Sequence, residues 1–284
     1  GNRLAVNQSA TETLDDGKII RVKNTLITMS WLDYVASKGV NASLLGELEK
    51  SPLHAQAYLK QPKDGPKACF RMGTITHAVI LEPKHALDNV AVKPEGMSFV
   101  TKEGREWKAE HAGKEIISCK ERDNIVGMCG AIKGHPFCKQ IFEQGDSEQA
   151  LFADWEGLVQ RKGRVDHLPP GNIIADIKTS GKDITRKNFE RSVFDFGYHL
   201  KAAYYLDLAK SLGLDKTVFL LIAVEVEKPH GVIVYRLEPD AVEAGRKKYQ
   251  SLLRLWHDCE TQNKWPGYDD AVQWIGLPAW AKTP

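Results

Sequence analysis

The chain opens on a polar, weakly patterned stretch, residues 1–28, that reads as a loose arm or an edge element. Residues 41–60, NASLLGELEKSPLHAQAYLK, place apolar side chains at helical intervals, with Asn41 or Ser43 as cap and a break at Ser51-Pro52. Residues 61–68, QPKDGPKA, form a loop by their Pro and Gly content. Residues 71–82, RMGTITHAVILE, predict a buried helix that stops before Pro83, because a proline drives the residue ahead of it out of the α region. Residues 102–115 are charged and suit either a solvated helix or a mobile loop. Residues 121–144 predict a further helix, interrupted at Gly134–Pro136.

The pattern then changes. Strand-like runs at 149–166 and 172–180 flank the turn HLPPGN. A helical stretch covers 188–212. VFLLIAVEVE (218–227) and HGVIVYRLE (230–238) are β-rich and joined by a short Lys-Pro turn, the signature of a hairpin. Residues 239–263 predict a long helix. The tail from Trp265, rich in Trp and Pro, is expected to pack across the surface. This order of elements predicts an α/β fold with a mixed central sheet flanked by helices. One domain spanning 41–284, preceded by an arm over 1–40, accommodates it.

Composition narrows the function classes. Thirty-nine basic and 37 acidic residues leave a net charge of +2, so the strong basic excess of many duplex-binding proteins is absent. Any nucleic-acid surface must come from local clustering. The five cysteines are odd in number and contain no CxxC pair, which argues against a disulfide framework or a zinc finger. Cys119, Cys129 and Cys138 are roughly evenly spaced but lack the tight spacing of iron–sulfur motifs. No apolar run reaches the ~18 residues of a membrane span, and the first residues carry no apolar signal segment. A soluble, cytoplasmic chain is the expectation.

The segment GRVDHLPPGNIIADIKTS, 163–180, carries the chemistry. Asp166 lies five residues before the turn centre near Gly171 and Asp176 five after it. If the two strands pair antiparallel, these carboxylates face each other, with Cβ atoms ~4.5–5.5 Å apart. Asp176 and Lys178, two apart on one strand, share a face. Two carboxylates and an ammonium at one spot suit a hard cation with oxygen ligands, Mg²⁺ or alternatively Mn²⁺. Such an ion polarises a phosphoryl oxygen and acidifies a bound water. Lys178 would orient that water or stabilise charge at phosphorus. Spacing alone favours a salt-bridged hairpin with no chemistry, since D-x-K is short and common.

Further blocks add specificity. GRVD…ADIKTS resembles the nuclease motif of the RecB/RecE-like PD-(D/E)XK superfamily. MGTITHAVILEP (72–83) resembles its upstream G-T-x-x-H-x-x-x-L-E-P helix, NASLLGELEKSP (41–52) the N-terminal helix of phage and prophage RecE-type exonucleases, and GYHLKAAYYLDLA (197–209) their Q-x-x-x-Y helix. With WPGY near the end, these blocks fall in the family's order over residues 40–268. The chain therefore resembles RecE-like, exonuclease VIII-like enzymes, with lambda-type exonuclease a more distant relative.

The resemblance implies roles by position. His77, Asp166 and Asp176 match metal ligands, with the Ile177 carbonyl and Glu148 as further ligands, and Lys178 matches the catalytic lysine. Tyr205 matches the tyrosine of the Q-x-x-x-Y helix. Lys201 stands where that helix usually has Gln: it is able to contact a DNA phosphate, but also to crowd the metal site electrostatically. Lys162 and Arg164, on the face of Asp166 if the strand is regular, are candidate phosphate contacts, and Ser43 is placed near a 5′-phosphate pocket by analogy. The family further implies 5′→3′ degradation of linear duplex DNA from its ends, a ring-like homo-oligomer, a single-strand annealing protein as partner, and phage or prophage origin. An endonuclease or nick-processing enzyme, and a DNA-binding protein with a degenerate nuclease core, stay open.

Overall fold

The computed structural model describes residues 24–61, 72–82 and 86–277, together with the backbone of 11–13, 20–22 and 68–71. Two short strands, β1 (Thr11–Thr13) and β2 (Ile20–Val22), pair with each other. They precede β3 (Thr25–Thr28), α1 (Trp31–Ala36), α2 (Ala42–Lys50), α3 (Pro52–Lys60) and α4 (Ala68–Leu81). Asn41 caps α2, its side chain accepting from Leu44 N at 2.8 Å. Ser51 ends α2 and caps α3, whose first residue is Pro52, the position where the missing N–H costs nothing.

A parallel pair, β4 (Val90–Val92) and β5 (Glu115–Ile117), brackets α5 (Lys102–Glu110). The 121–144 stretch becomes α6 (Cys119–Gly134), opened by a Ser118/Glu121 capping box, and α7 (Pro136–Glu143). Next come β6 (Asp146–Trp155), β7 (Val159–Leu168), β8 (Ile173–Ser180), α8 (Arg186–Asp195), α9 (Tyr198–Ser211), β9 (Val218–Glu225), β10 (Val232–Arg236) and α10 (Pro239–Gln262).

Six strands form the central sheet in the order β10-β9-β8-β7-β6-β3. Only β8 and β9 run parallel; the other neighbours are antiparallel. A parallel step needs a crossover, and α8 with α9 supplies it. On one face α2, α9 and α10 bury Leu45, Tyr204, Leu208, Tyr249 and Leu253 against Leu151, Ile174 and Leu221. On the other, α4, α6 and α7 bury Ile75, Met128, Ile132 and Ile141 against Ile177 and Ile222. Strand β9 is covered on both faces, which explains its unbroken apolar run.

Four sequence expectations change. The 149–166 run is not one strand but most of a hairpin, with Glu156 and Gly157 at positive φ between β6 and β7. The 188–212 helix breaks at Gly197, whose φ of 64° is cheap only for glycine. In the tail, Trp265 packs on Trp256 and Tyr268 on His54. Beyond them Val272, Trp274 and Ile275 are at least 95% exposed, so that part does not lie on the surface. The arm expected over residues 1–40 joins the fold from Thr25 onward: β3 is an edge strand of the sheet, and Tyr34 of α1 packs on Ala150 and Phe152. Residues 1–10, 14–19 and 23 lie outside the described residues.

Cys119, Cys129, Cys138 and Cys259 are free thiols; burial pushes Cys129 and Cys138 up to about 11. Among the described residues no helix is long and apolar enough to cross a membrane.

Candidate active site

Strands β7 and β8 meet at one bridge, His167↔Ala175. One register step further, Asp166 and Asp176 occupy adjoining positions. There the ladder opens, and the N–H of Ile177 donates to Asp166 Oδ2 at 2.8 Å. A side chain thus takes the backbone donor that the parting strands release. The fork holds Asp166 at 8% exposure and Asp176 at 1%.

On the α4 side, His77 Nδ1 lies 3.3 Å from Asp166 Oδ2. Gly73, one turn earlier, lets α4 come close to β8: a Cβ there would sit 3.0 Å from Thr179 Oγ1. On β6, the pairs Ser147↔His167 and Gln149↔Val165 set Glu148 opposite Asp166. Glu148 has φ 54°, a left-handed backbone that bulky residues adopt only under constraint. Its carboxylate pairs with Arg164 Nε at 2.6 Å. Burial first, and then the charge of Asp166, pushes the Glu148 carboxyl up to about 7. Glu82, at the end of α4, adds to that repulsion. Spacing arguments pass over Glu82, although it belongs to the L-E-P block.

The β8 side is different. Lys178 Nζ binds Asp176 Oδ2, and Lys201 Nζ on α9 binds Asp176 Oδ1 at 2.7 Å. Burial alone would raise the Asp176 carboxyl, but Lys178 and Lys201 outweigh it and hold the group well below the usual carboxylate range. Burial, and Lys201 beside it, pushes the Lys178 ammonium down. Burial also works against the Lys201 ammonium, yet Asp176, with Tyr205 and Asp166 behind it, holds it well above its usual range. The Ile177 carbonyl accepts from Lys178 Nζ at 3.3 Å.

Four expected DNA contacts are placed elsewhere. Lys162 is 4% exposed and donates to the carbonyls of Tyr34 and Ser37, at 3.0 and 2.6 Å; it ties down the end of α1 and is not offered to a phosphate. Arg164 is spent on Glu148, with Trp31 over its guanidinium. Tyr205 is 6% exposed: its ring fills the space above Gly163 and lies 5.2 Å from Lys201 Nζ, so it positions that lysine and does not face solvent. Ser43 is exposed on the first turn of α2, and among the described residues no hydrogen bond or ion pair ties it to the fork.

The sequence profile of the PDDEXK-like domain of unknown function DUF3799 matches residues 41–276. The chain belongs to this family. The match covers the fork, α4 and α9, so the residues described above are the family's own region. Among solved structures, a "putative exonuclease" from Eubacterium rectale superposes with a TM-score of 0.53 at 13% identity, over 84% of this chain and 91% of that one. It supports the PDDEXK-like fold. A second, SSO0001, aligns at 15% identity over 75% of this chain and 84% of its own, with a TM-score of 0.28. No curated protein matches.

PDDEXK nucleases typically use divalent metals, and the donor chemistry here suits one. Asp166 and Glu148 offer oxygens and His77 a ring nitrogen, and two carboxylates here adjoin one guanidinium. Yet among the described residues no three His, Cys, Asp or Glu side chains stand ready around one point. Asp176 is turned to its two lysines.

Proposed function

We propose that this PDDEXK-like chain is a metal-dependent exodeoxyribonuclease acting on the ends of linear duplex DNA. The observation that carries the reading is the fork itself: Asp166, beside His77 and opposite Glu148, adjoins an Asp176–Lys178 pair. That set joins cation ligands to an ammonium within reach of one phosphodiester. Asp166 and Asp176 would hold Mg²⁺, with His77, Glu148 and the Ile177 carbonyl completing the shell; Mn²⁺ suits the same donors. The ion would polarise the phosphoryl oxygen and acidify a water. Lys178 would lie against the attacking water or the charge that develops at phosphorus. Water adds across the P–O bond, and its proton ends on the leaving oxygen.

The preference for ends, the 5′→3′ direction, a ring-like homo-oligomer, a single-strand annealing partner and a phage or prophage source in a bacterial cytoplasm belong to this proposal through the RecE-like resemblance.

The test is digestion of 5′-phosphorylated linear duplex with Mg²⁺, beside EDTA and a covalently closed circle. Metal-dependent loss of the linear substrate alone is the expected result. Cutting of the circle would make the enzyme an endonuclease. No cleavage with Mg²⁺ or Mn²⁺ would remove the catalytic reading.

A further inference from the structure

Two groups of large apolar side chains lie in solvent beside the fork. Phe194 and Phe196, each 71% exposed, sit at the turn between α8 and α9. Trp31 and Leu32, 59% and 77% exposed, lie on α1. Neighbouring exposed apolar side chains of this size mark an interaction surface.

Each group is one side chain away from the charges of the fork. The Phe196 ring is 5.7 Å from Tyr198, and Lys178 Nζ lies 5.1 Å above the Tyr198 ring. On the other flank, the Trp31 ring lies 5.7 Å from the Arg164 guanidinium, whose Nε meets Glu148 at 2.6 Å. Lys248 Nζ stands 5.9 Å from the Phe194 ring. Rings and cations therefore interleave from the rim down to Asp176 and Glu148. A single nucleic-acid strand suits exposed rings in this place, since every base has a π-face. Each of these cations is already paired, Arg164 with Glu148, Lys178 with Asp176 and Lys248 with Glu49, so the exposed rings beside a fork read as a nuclease site, and not free charge, select a partner that carries bases.

We propose that Phe194, Phe196 and Trp31 form a stacking rim for unpaired bases of the DNA held at the fork. The proposal rests on the nuclease reading above and adds to it the form in which substrate is held: with bases unstacked at the reacting end. Side chains this exposed contribute little to the core, so their removal leaves folding intact.

The full chain, with Ca²⁺ in place of Mg²⁺, is titrated into a fluorescent 5′-phosphorylated duplex carrying a single-stranded tail. A matched probe has abasic sites along the tail. Phe194→Ala/Phe196→Ala and Trp31→Ala are compared with the wild type. Loss of one stacked base weakens binding roughly 5- to 100-fold. That loss is expected on the normal tail and not on the abasic one, with an unchanged salt dependence because no phosphate contact is removed. Equal affinities, or equal losses on both probes, overturn the stacking rim. So does a change in sedimenting mass with DNA affinity intact, which would make the surface a protein interface. If the wild type binds neither probe, the nuclease reading itself fails and takes the rim with it. If the wild type binds both and the variants match it, only the rim falls.

Discussion

The two sides of the fork balance their charges in opposite ways. On the α4 side, Glu148 pairs with Arg164 and Asp166 with the ring of His77, and burial first, then the charge of Asp166, pushes the Glu148 carboxyl up to about 7. On the α9 side, a single carboxylate, Asp176, lies between two ammonium groups. One side wants a cation and the other already holds a surplus. A divalent ion arriving between them would satisfy the first and compete with the second. An aspartate at the right place on a strand is therefore not by itself a ready ligand; its neighbours on a different helix decide that.

The strongest way to break the comparison is Asp176→Ala. It leaves Lys178 and Lys201 close together with their shared partner gone. Loss of one member of a buried ion pair costs about 3 kcal/mol or more, readable as a fall in the urea midpoint. Nuclease activity should vanish in the same variant. A variant as stable as the wild type would mean that the lysines reach other partners.

The α4 side makes a pH prediction. Glu148 rises in the folded chain from an ordinary 4.5 to about 7. The folded state therefore binds more protons than the unfolded state across that window, and metal-free stability declines as pH climbs from about 4.5 through about 7. The cost reaches about 3 kcal/mol at neutral pH. Urea unfolding at several pH values reads it, and Glu148→Gln should flatten the slope. Saturating Mg²⁺ should flatten it too if the ion binds here.

Lys162→Ala serves as the contrast, because it touches neither side of the fork. Freeing the carbonyls at the end of α1 should cost about 2 kcal/mol of stability. The salt dependence of DNA affinity should stay put, whereas a lost phosphate contact would shallow it by nearly one unit.

The smallest effect sharpens the α9 side. Lys201→Gln removes one of the two ammonium groups and should tighten Ca²⁺ binding roughly tenfold by calorimetry, from the repulsion of like charges a few ångströms apart. Unchanged affinity would mean that Lys201 moves aside at no cost.

By itself the sequence determined the periodic elements and the bend at the heart of the site. The turn at Gly171 put Asp166 and Asp176 at symmetric distances, and the observed His167↔Ala175 bridge has that register. Apolar spacing located α4 and α10, and Ser51-Pro52 marked the boundary between α2 and α3. These are local signals: proline and glycine constrain their own backbone, and periodicity reports one element's buried face. Only the tertiary structure decided what each charged side chain meets. Lys162 and Arg164 read like a phosphate-binding pair on a strand, but α1 folds over that face and takes both inward. Lys201 lies 25 residues from Asp176 and reaches it because the β8–β9 crossover lays α9 against the sheet. Charge pairing acts through space over a few ångströms, so its partners are chosen by packing and cannot be read from spacing along the chain.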